Sequence, residues 1–361
     1  MSPGRESRKT KAPRKAAEVS VDLTRLLEIV SAFPSQTICV LGDLVLDEFV
    51  SGEISRVSRE APVLILRHRR SEAYAGGGAN AANNIADLGG QVIPVGVVGD
   101  DAGGAKLLEL FGSKRVDTSA ILRVRGWATT TKTRYLAGWT HTTEQQVLRV
   151  DHEPPAPLPE SVERAIEHRA RQVARRADAV LISDYGLSVA PPRLVRKLRA
   201  KLLTLDSRYR LREFRGAGVT AATPNEAEIE AAYGTEIAGN MARLEELGRR
   251  ALDEMRLQAL LVTRGRHGLS LFESNPPSTR TGCRVPAHVP VHGSDTPVDV
   301  TGAGDTVIAA FTLALAAGAT YLEAAHLANY AAGMVVMKPR TATVTGAELE
   351  AVLKQEATSR R

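Results

Sequence analysis

The sequence predicts an α/β fold, with a mostly parallel central sheet, helices on both of its faces and a small β-sheet lid. Three observations point there. Short apolar runs alternate with helical patterns along most of the 361 residues. Those runs are continuously apolar, as strands covered on both faces require. Two regions, Phe49 to Arg69 and Thr130 to Asp151, break the rhythm with strand-like segments that have no helix between them.

In chain order, residues 1–34 read as a basic, flexible N-terminal tail, residues 35–356 as the folded domain and 357–361 as a short C-terminal tail. The core strands are "TICVLG" near Thr37, "VIPVGVVG" near Val92, "AVLISD" near Ala179, "LLTLD" near Leu202 and "ALLVT" near Ala259. Helical patterns between them cover Ala79–Leu88, Ala102–Leu110, Glu160–Arg176, Arg193–Leu203 and Met241–Met255. Ligands of such a sheet sit beyond the carboxyl ends of its strands. The exceptional segments, about 49–69 and 130–151, supply "PVLILRHRR", "TTKTRYLAGW" and "EQQVLRVD" for a second sheet, which would project over those ends as a lid. Read blandly, they are surface hairpins without a role. "PPAPLP", Pro154–Pro159, marks the return to the core.

The net charge of +6 sits mostly at the start of the chain. Arg5, Arg8, Lys9, Lys11, Arg14 and Lys15 stand against Glu6 alone within Met1–Ala17, and the rest is nearly neutral. A basic tail rich in Pro and Ser is usually a solvated terminus, so neither nucleic acid nor membrane is expected as a partner. A nucleic-acid role resting on the tail is the competing reading. No apolar h-region follows the early basic residues, and Thr306–Leu322, the longest uncharged run, reads as a buried helix. Cys39 and Cys283 have neither metal-ligand spacing nor a disulfide framework, so a cytoplasmic location is expected.

Five motifs carry chemistry. In "DVTGAGDTVIAAF", Asp299–Phe311, Gly302 and Gly304 permit close backbone approach, and the first turn of the following helix offers unpaired N–H groups to an anion. Asp305 would repel that anion unless it has a task such as accepting a proton. In "AGGGANAANNIADLGG", Ala75–Gly90, three glycines precede Asn80, whose amide can both donate to and accept from hydroxyls. It fails as a dinucleotide fingerprint because the first strand leads into "GDLVLD" instead. There Asp43 and Asp47 are candidates for holding vicinal sugar hydroxyls, and equally for metal ligands or plain loop aspartates. In "TPNEAE", Asn225 and Glu228 are spaced to hold a hydrated Mg²⁺ against phosphate oxygens, or to make a helix-capping box. "VTRGRHGLSLF", Val262–Phe272, gives a strand, a basic turn and a second strand, a wall for a nucleotide.

With these segments in this order, the chain resembles the PfkB/ribokinase family of carbohydrate kinases over roughly Thr37 to Leu353. "GGGANAANNIADLGG" is similar to the family's first signature and "DVTGAGDTVIAAF" to its second. Within the family, "GDLVLDEFVSGEISRVSREAPV", "TKTRYLAGW", "EQQVLRVD" and "ISDYG" are most similar to the D-glycero-D-manno-heptose-7-phosphate kinases. Their bifunctional relatives carry a nucleotidyltransferase domain, and no HxGH motif of that kind follows here. The chain departs from the pattern where "SDYxKG" is replaced by "SDYGLS", placing Leu187 and Ser188 at the lysine and glycine positions, and where "DSR" with Arg208 replaces "DPK". The segment Gly138–Thr143 is also longer.

The resemblance implies a ribokinase-like fold and transfer of the ATP γ-phosphoryl group to a sugar hydroxyl, here the anomeric hydroxyl of heptose 7-phosphate. Other sugars, sugar phosphates or nucleosides are the alternatives, and an idle sugar-binding regulator would have no need of Asp305. Gly302, Ala303 and Gly304 become the anion hole and Asp305 the base. Asn225 and Glu228 position Mg²⁺ through water. Asp43, Asp47, Gly77, Gly78 and Asn80 hold the sugar, with Arg134 and Arg149, or Arg56, Arg59 and Lys132, for a sugar phosphate. Thr263, Gly265, Gly268, Asn329 and Gly333 surround the adenine of ATP. Asp299 and Thr301 contribute to a monovalent-cation (K⁺) site. Lid strands too few to be stable alone predict a homodimer.

Overall fold

A computed structural model describes residues 21–114, 116–139, 144–154, 157–275, 285–293 and 296–359. The basic segment Met1–Ala17, Cys283 and residues 140–143 of the long lid turn lie outside the described residues.

The strands are β1 (Thr37–Gly42), β2 (Leu44–Val57), β3 (Leu64–Gly77), β4 (Gln91–Gly99), β5 (Ile121–Val124), β6 (Thr131–Gly138), β7 (Gln145–His152), β8 (Ala179–Asp184), β9 (Leu203–Ser207), β10 (Ala221–Ala222), β11 (Ala259–Thr263), β12 (Leu269–Glu273) and β13 (Ala287–Val289). The helices are α1 (Leu23–Ser31), α2 (Gly78–Asp87), α3 (Ala102–Gly112), α4 (Glu160–Ala174), α5 (Pro192–Val195), α6 (Glu226–Tyr233), α7 (Met241–Met255), α8 (Ala303–Ala316), α9 (Tyr321–Val335) and α10 (Gly346–Ser359).

Nine strands form the central sheet in the order β13-β12-β11-β10-β9-β8-β1-β4-β5, parallel from β5 to β11, with β12 antiparallel to its neighbours. Their continuous apolar runs have two faces to cover. On β1, Ile38 and Val40 enter a core shared with α1, α2, α8, α9 and α10, while Cys39 and Leu41 enter another shared with α4 and α7. The alternation of a strand thus splits one apolar run between two helix layers.

The second sheet has the order β3-β2-β6-β7. β2 and β3 run antiparallel with two register shifts, β2 and β6 run parallel, and β6 and β7 run antiparallel. At the outer tip, where β2 turns into β3, Ser58 N–H donates to the Val63 carbonyl at 2.9 Å and closes the loop. The inner end of β2 leaves β1 directly through Asp43, so this sheet grows from the carboxyl end of a core strand.

Two expected boundaries shift. The tail expected through residue 34 includes α1, capped by Asp22, because Leu26, Ile29, Val30 and Phe33 are buried against the core. The helix expected over Arg193–Leu203 is only α5, begun by Pro192, and Leu203 already belongs to β9. The bonds Lys197 N–H to Leu194 O and Leu198 N–H to Val195 O tighten and close that turn.

Candidate active site

The site is assembled where β1, β8 and β9 end and α8 begins. Gly302 caps α8 with φ 81°, and a Cβ there would lie 2.5 Å from Asn80 Nδ2, so both conformation and space demand glycine. One turn on, Asp305 is only 4% exposed. Its Oδ2 accepts from Asn80 Nδ2 at 2.9 Å and its Oδ1 from the Tyr185 hydroxyl at 3.0 Å. Burial pushes its pKa up to about 7, the two hydrogen bonds oppose this, and the charges of Asp47 and Glu228 add to it. A carboxyl group so placed is poised to exchange a proton near neutral pH.

Asn80 serves this carboxylate. Its Oδ1 accepts from Asn84 Nδ2 at 3.1 Å, and Asn84 Oδ1 in turn accepts from the Thr306 hydroxyl at 2.9 Å. With both ends of a buried amide engaged, Asn80 positions Asp305. Asp43 differs from expectation. It is 1% exposed, and its carboxylate accepts the backbone N–H groups of Tyr185, Leu187 and Val189. Burial raises its pKa to about 6 against those bonds. Asp43 therefore braces the loop after β8, and its carboxylate has no face toward a sugar. Gly77 and Gly78 let the β3–α2 junction pack onto that same turn, with Gly78 N–H donating to Asp43 O at 2.9 Å.

Asp47, on β2, is bonded by Arg134 of β6 at 2.6 Å, and its charge reaches Asp305. Lys132, on the same face, pairs with Asp151 at 3.0 Å. Arg149 lies opposite Arg134 in the β6–β7 register and pairs with Asp151 at 2.8 Å, on the exposed edge strand. Arg56 and Arg59 are exposed at the outer end of the lid, Arg56 about 30 Å of strand beyond Asp47, and are not brought to the cleft.

Asn225 and Glu228 form the capping box of α6. Glu228 Oε2 accepts Asn225 N–H at 2.8 Å, and Asn225 Oδ1 accepts Glu228 N–H at 2.8 Å. Glu228 nevertheless lines the cleft with Asp206, Arg208, Tyr185, Thr223, Gly304 and Asp305. Burial and then the charges of Glu228, Asp305 and Asp184 hold Asp206 well above the usual carboxylate range. Burial raises Glu228 as well. The buried Thr223 hydroxyl lacks a hydrogen-bond partner among the described residues. Crowded carboxylates beside an unsatisfied hydroxyl suit a hydrated divalent cation.

A largely apolar slot adjoins this cleft and shares Thr263, Val300 and Gly304 with it. Gly265, Gly268, Asn329 and Gly333, the residues expected around adenine, also line the slot. Asn329 donates to Pro290 O at 2.8 Å, so it holds the loop that closes one side. At the expected anion hole, Ala303 N–H turns to the Val300 carbonyl at 3.2 Å, while Gly304 opens onto the cleft. Asp299 accepts the N–H groups of Thr301 at 2.9 Å and Arg340 at 3.0 Å and so ties two loops together.

The family pattern described as pfkB family carbohydrate kinase matches residues 36–346. The chain belongs to the pfkB family of carbohydrate kinases. Among curated proteins, this kinase is 37% identical to the bifunctional protein HldE of Desulfatibacillum aliphaticivorans over 334 residues, covering 91% of this chain and 65% of that protein. It is 39% identical to HldE of Geobacter metallireducens, covering 86% of this chain and 61% of that protein. The chain therefore spans less than two thirds of the length of these relatives. Among solved structures, phosphofructokinase-2 from Escherichia coli, in complex with substrates and products, superposes with a TM-score of 0.70 at 18% identity, covering 89% of this chain and 99% of that one. Arabidopsis thaliana ribokinase, complexed with ribose and ATP, gives 0.66 at 19% identity, covering 88% and 99%. The kinase has the ribokinase-like α/β fold.

Several residues of the kinase site escaped the motif reading. Tyr185, Asp206 and Thr223 lie at or just past the carboxyl ends of β8, β9 and β10, where the rule for parallel strands could have found them. Arg340 lies in a loop distant in sequence from the lid it touches, and no sequence signal marks it. Ser188, at the glycine position of the heptose-kinase pattern, has φ 73°. The chain keeps a left-handed turn there at some strain.

Proposed function

We propose that the kinase transfers the ATP γ-phosphoryl group to the anomeric hydroxyl of D-glycero-D-manno-heptose 7-phosphate, giving the 1,7-bisphosphate. The observation that carries this is Asp305, buried and fixed by Asn80 and Tyr185 at the N-terminus of α8, between an apolar slot and a cleft lined by Asp206, Arg208 and Glu228. Adenine fits the slot, and the phosphates then point toward Gly304 and the start of α8, whose backbone dipoles favour negative charge. Asp305 removes the acceptor hydroxyl's proton as the new O–P bond forms and the bond to the departing ADP oxygen breaks.

Asp206, Glu228 and Thr223 would hold Mg²⁺, with Asn225 fixing Glu228 through the helix cap, and the metal would neutralise phosphate charge. Asp299 and Thr301 would contribute to holding a monovalent cation such as K⁺ beside the start of α8. Arg134 and Arg149, with Lys132 nearby on β6, favour a sugar that carries a distal phosphate. The outer face of the lid exposes Leu148 at 54% and Val150 at 47%, which suits pairing with a second lid in a homodimer. No helix among the described residues is long and apolar enough to cross a membrane.

The test is ATP consumption against heptose 7-phosphate, fructose 6-phosphate, ribose and adenosine. Preference for the heptose phosphate is the expected result. Preference for a nucleoside or an unphosphorylated sugar sinks the heptose reading.

A further inference from the structure

Arg340 stands at a junction that none of the motifs describes. Its φ of 65° is left-handed, a conformation rarely adopted without compensation by a residue carrying a side chain. The backbone is held there by the bond from Arg340 N–H to Asp299 Oδ2, while Asp299 Oδ1 holds Thr301 at the entrance to the α8 N-terminus. The side chain points the other way, to the lid. Its guanidinium carbon lies 5.1 Å from the centroid of the Phe49 ring, and that of Arg134 lies 5.2 Å from the same ring. Two guanidinium groups thus converge on one aromatic side chain of β2, on the same face of the strand as Asp47.

Each of these cations is neutralised by carboxylates of the lid. Arg134 is bonded to Asp47. Arg340 Nη2 donates to Glu144 Oε2 at 2.9 Å, and its Nε lies 3.6 Å from Glu72 Oε2. Glu144 is shared further with Arg70 at 3.2 Å and the Ser51 hydroxyl at 3.1 Å. Arg340 is only 17% exposed, so these contacts are more than a solvated surface pair. Asp47 is also near enough to Asp305 for its charge to act on that carboxyl, and Thr341, next to Arg340, lies beside Gly302 at the start of α8, so the cluster neighbours the proton acceptor.

We propose that Arg340, together with Arg134, binds the distal anionic group of the sugar substrate, and that Glu144 and Glu72 occupy the Arg340 guanidinium until that group arrives. The inference rests on the phosphorylated-sugar reading above. A phosphate dianion offers a guanidinium the same planar, two-point acceptor geometry that a carboxylate does, with more charge. Glu144 then competes with the substrate, whereas a purely structural pair would have no such competition.

Steady-state kinetics with heptose 7-phosphate and the unphosphorylated heptose test it, on wild type, Arg340→Ala and Glu144→Gln, with melting temperatures as a folding control. Expected for Arg340→Ala is a rise of tenfold or more in KM for the phosphorylated sugar, little change with the unphosphorylated sugar, and an unchanged KM for ATP. Glu144→Gln, which keeps the shape and removes the competing charge, should lower KM for the phosphorylated sugar several-fold. If wild type shows no preference for the phosphorylated sugar, the substrate reading falls and this inference with it. If wild type prefers it tenfold or more and Arg340→Ala leaves that ratio intact, or if Glu144→Gln raises KM, only the role of Arg340 is overturned.

Discussion

Burial of Asp305 sets a protonation equilibrium that both activity and stability report. Its folded pKa of about 7 lies above the ordinary 3.8, so between those values the native state keeps a proton that the unfolded chain has released. Stability therefore falls as pH rises through this window and levels off above it. Asp305→Asn escapes that loss. Its melting temperature should exceed that of wild type at pH 8, by the equivalent of about 1–3 kcal/mol, and the gap should close by about pH 4. Turnover should meanwhile drop by roughly two orders of magnitude or more, the scale of a lost general base. In wild type, activity should climb about tenfold per pH unit below the apparent pKa and flatten above it. Asn80→Ala makes a second, separable prediction. It removes a hydrogen bond that favours the ionised carboxylate, so the acidic limb of the pH profile should move to higher pH and kcat should fall. An unmoved limb would deny Asn80 its positioning role.

Among the elements, α1 marks where pattern reading fell short. Its nine residues follow a basic segment, and composition extended the character of that segment too far. Yet Leu26, Ile29, Val30 and Phe33 recur at helical spacing and pack against the core that α10 also covers. Deleting Met1–Ala17 should leave melting temperature and kcat nearly unchanged, because that stretch has almost no apolar side chains to bury. Leu26→Ala should cost about 2–5 kcal/mol in a denaturant titration, the range for truncating a fully buried leucine. Core strands, by contrast, were legible because a run such as "AVLISD" has one conformation that buries both of its faces. The glycines and Asp305 were legible because an anion site at a helix start needs those residue types in sequence. The motifs lead to Asn80 and Asp43 but not to their partners, since only the fold reveals which lone pairs are already taken. Arg340 acts through contacts with residues far away in the chain, and spacing carries no trace of such contacts. The lid adds its own prediction. β7 is an exposed edge strand with Val147, Leu148 and Val150 all near half exposed. Light scattering at micromolar concentration should show a dimer, and Leu148→Lys should weaken it. A monomeric wild type would leave that apolar face without an occupant.

At the scale of the whole molecule, two sheets of different character join where β1 of the core passes into β2 of the lid. The central sheet presents its strand ends, the start of α8 and the apolar slot, held by hydrogen bonds such as that of Asn329 to Pro290 O. The lid presents charged side chains paired with one another, a surface that a charged substrate can reorganise at modest cost. Phosphoryl transfer needs both, because the acceptor hydroxyl must reach Asp305 while water is kept away from the nucleotide. A substrate anchored at its far end by a guanidinium and reacting at its near end spans that distance. Removing the far anchor should therefore weaken binding of the sugar without touching that of ATP. For Arg134→Ala the expected loss is about 1.5–3 kcal/mol in kcat/KM for the phosphorylated sugar, the worth of a charge-assisted bond, partly offset by the release of Asp47. KM for ATP should stay within about twofold, since the slot shares no residue with the lid sheet. A fall in ATP affinity matching the loss for the sugar would mean that Arg134 orders the cleft as a whole, and the division of labour between sheet and lid would have to be abandoned.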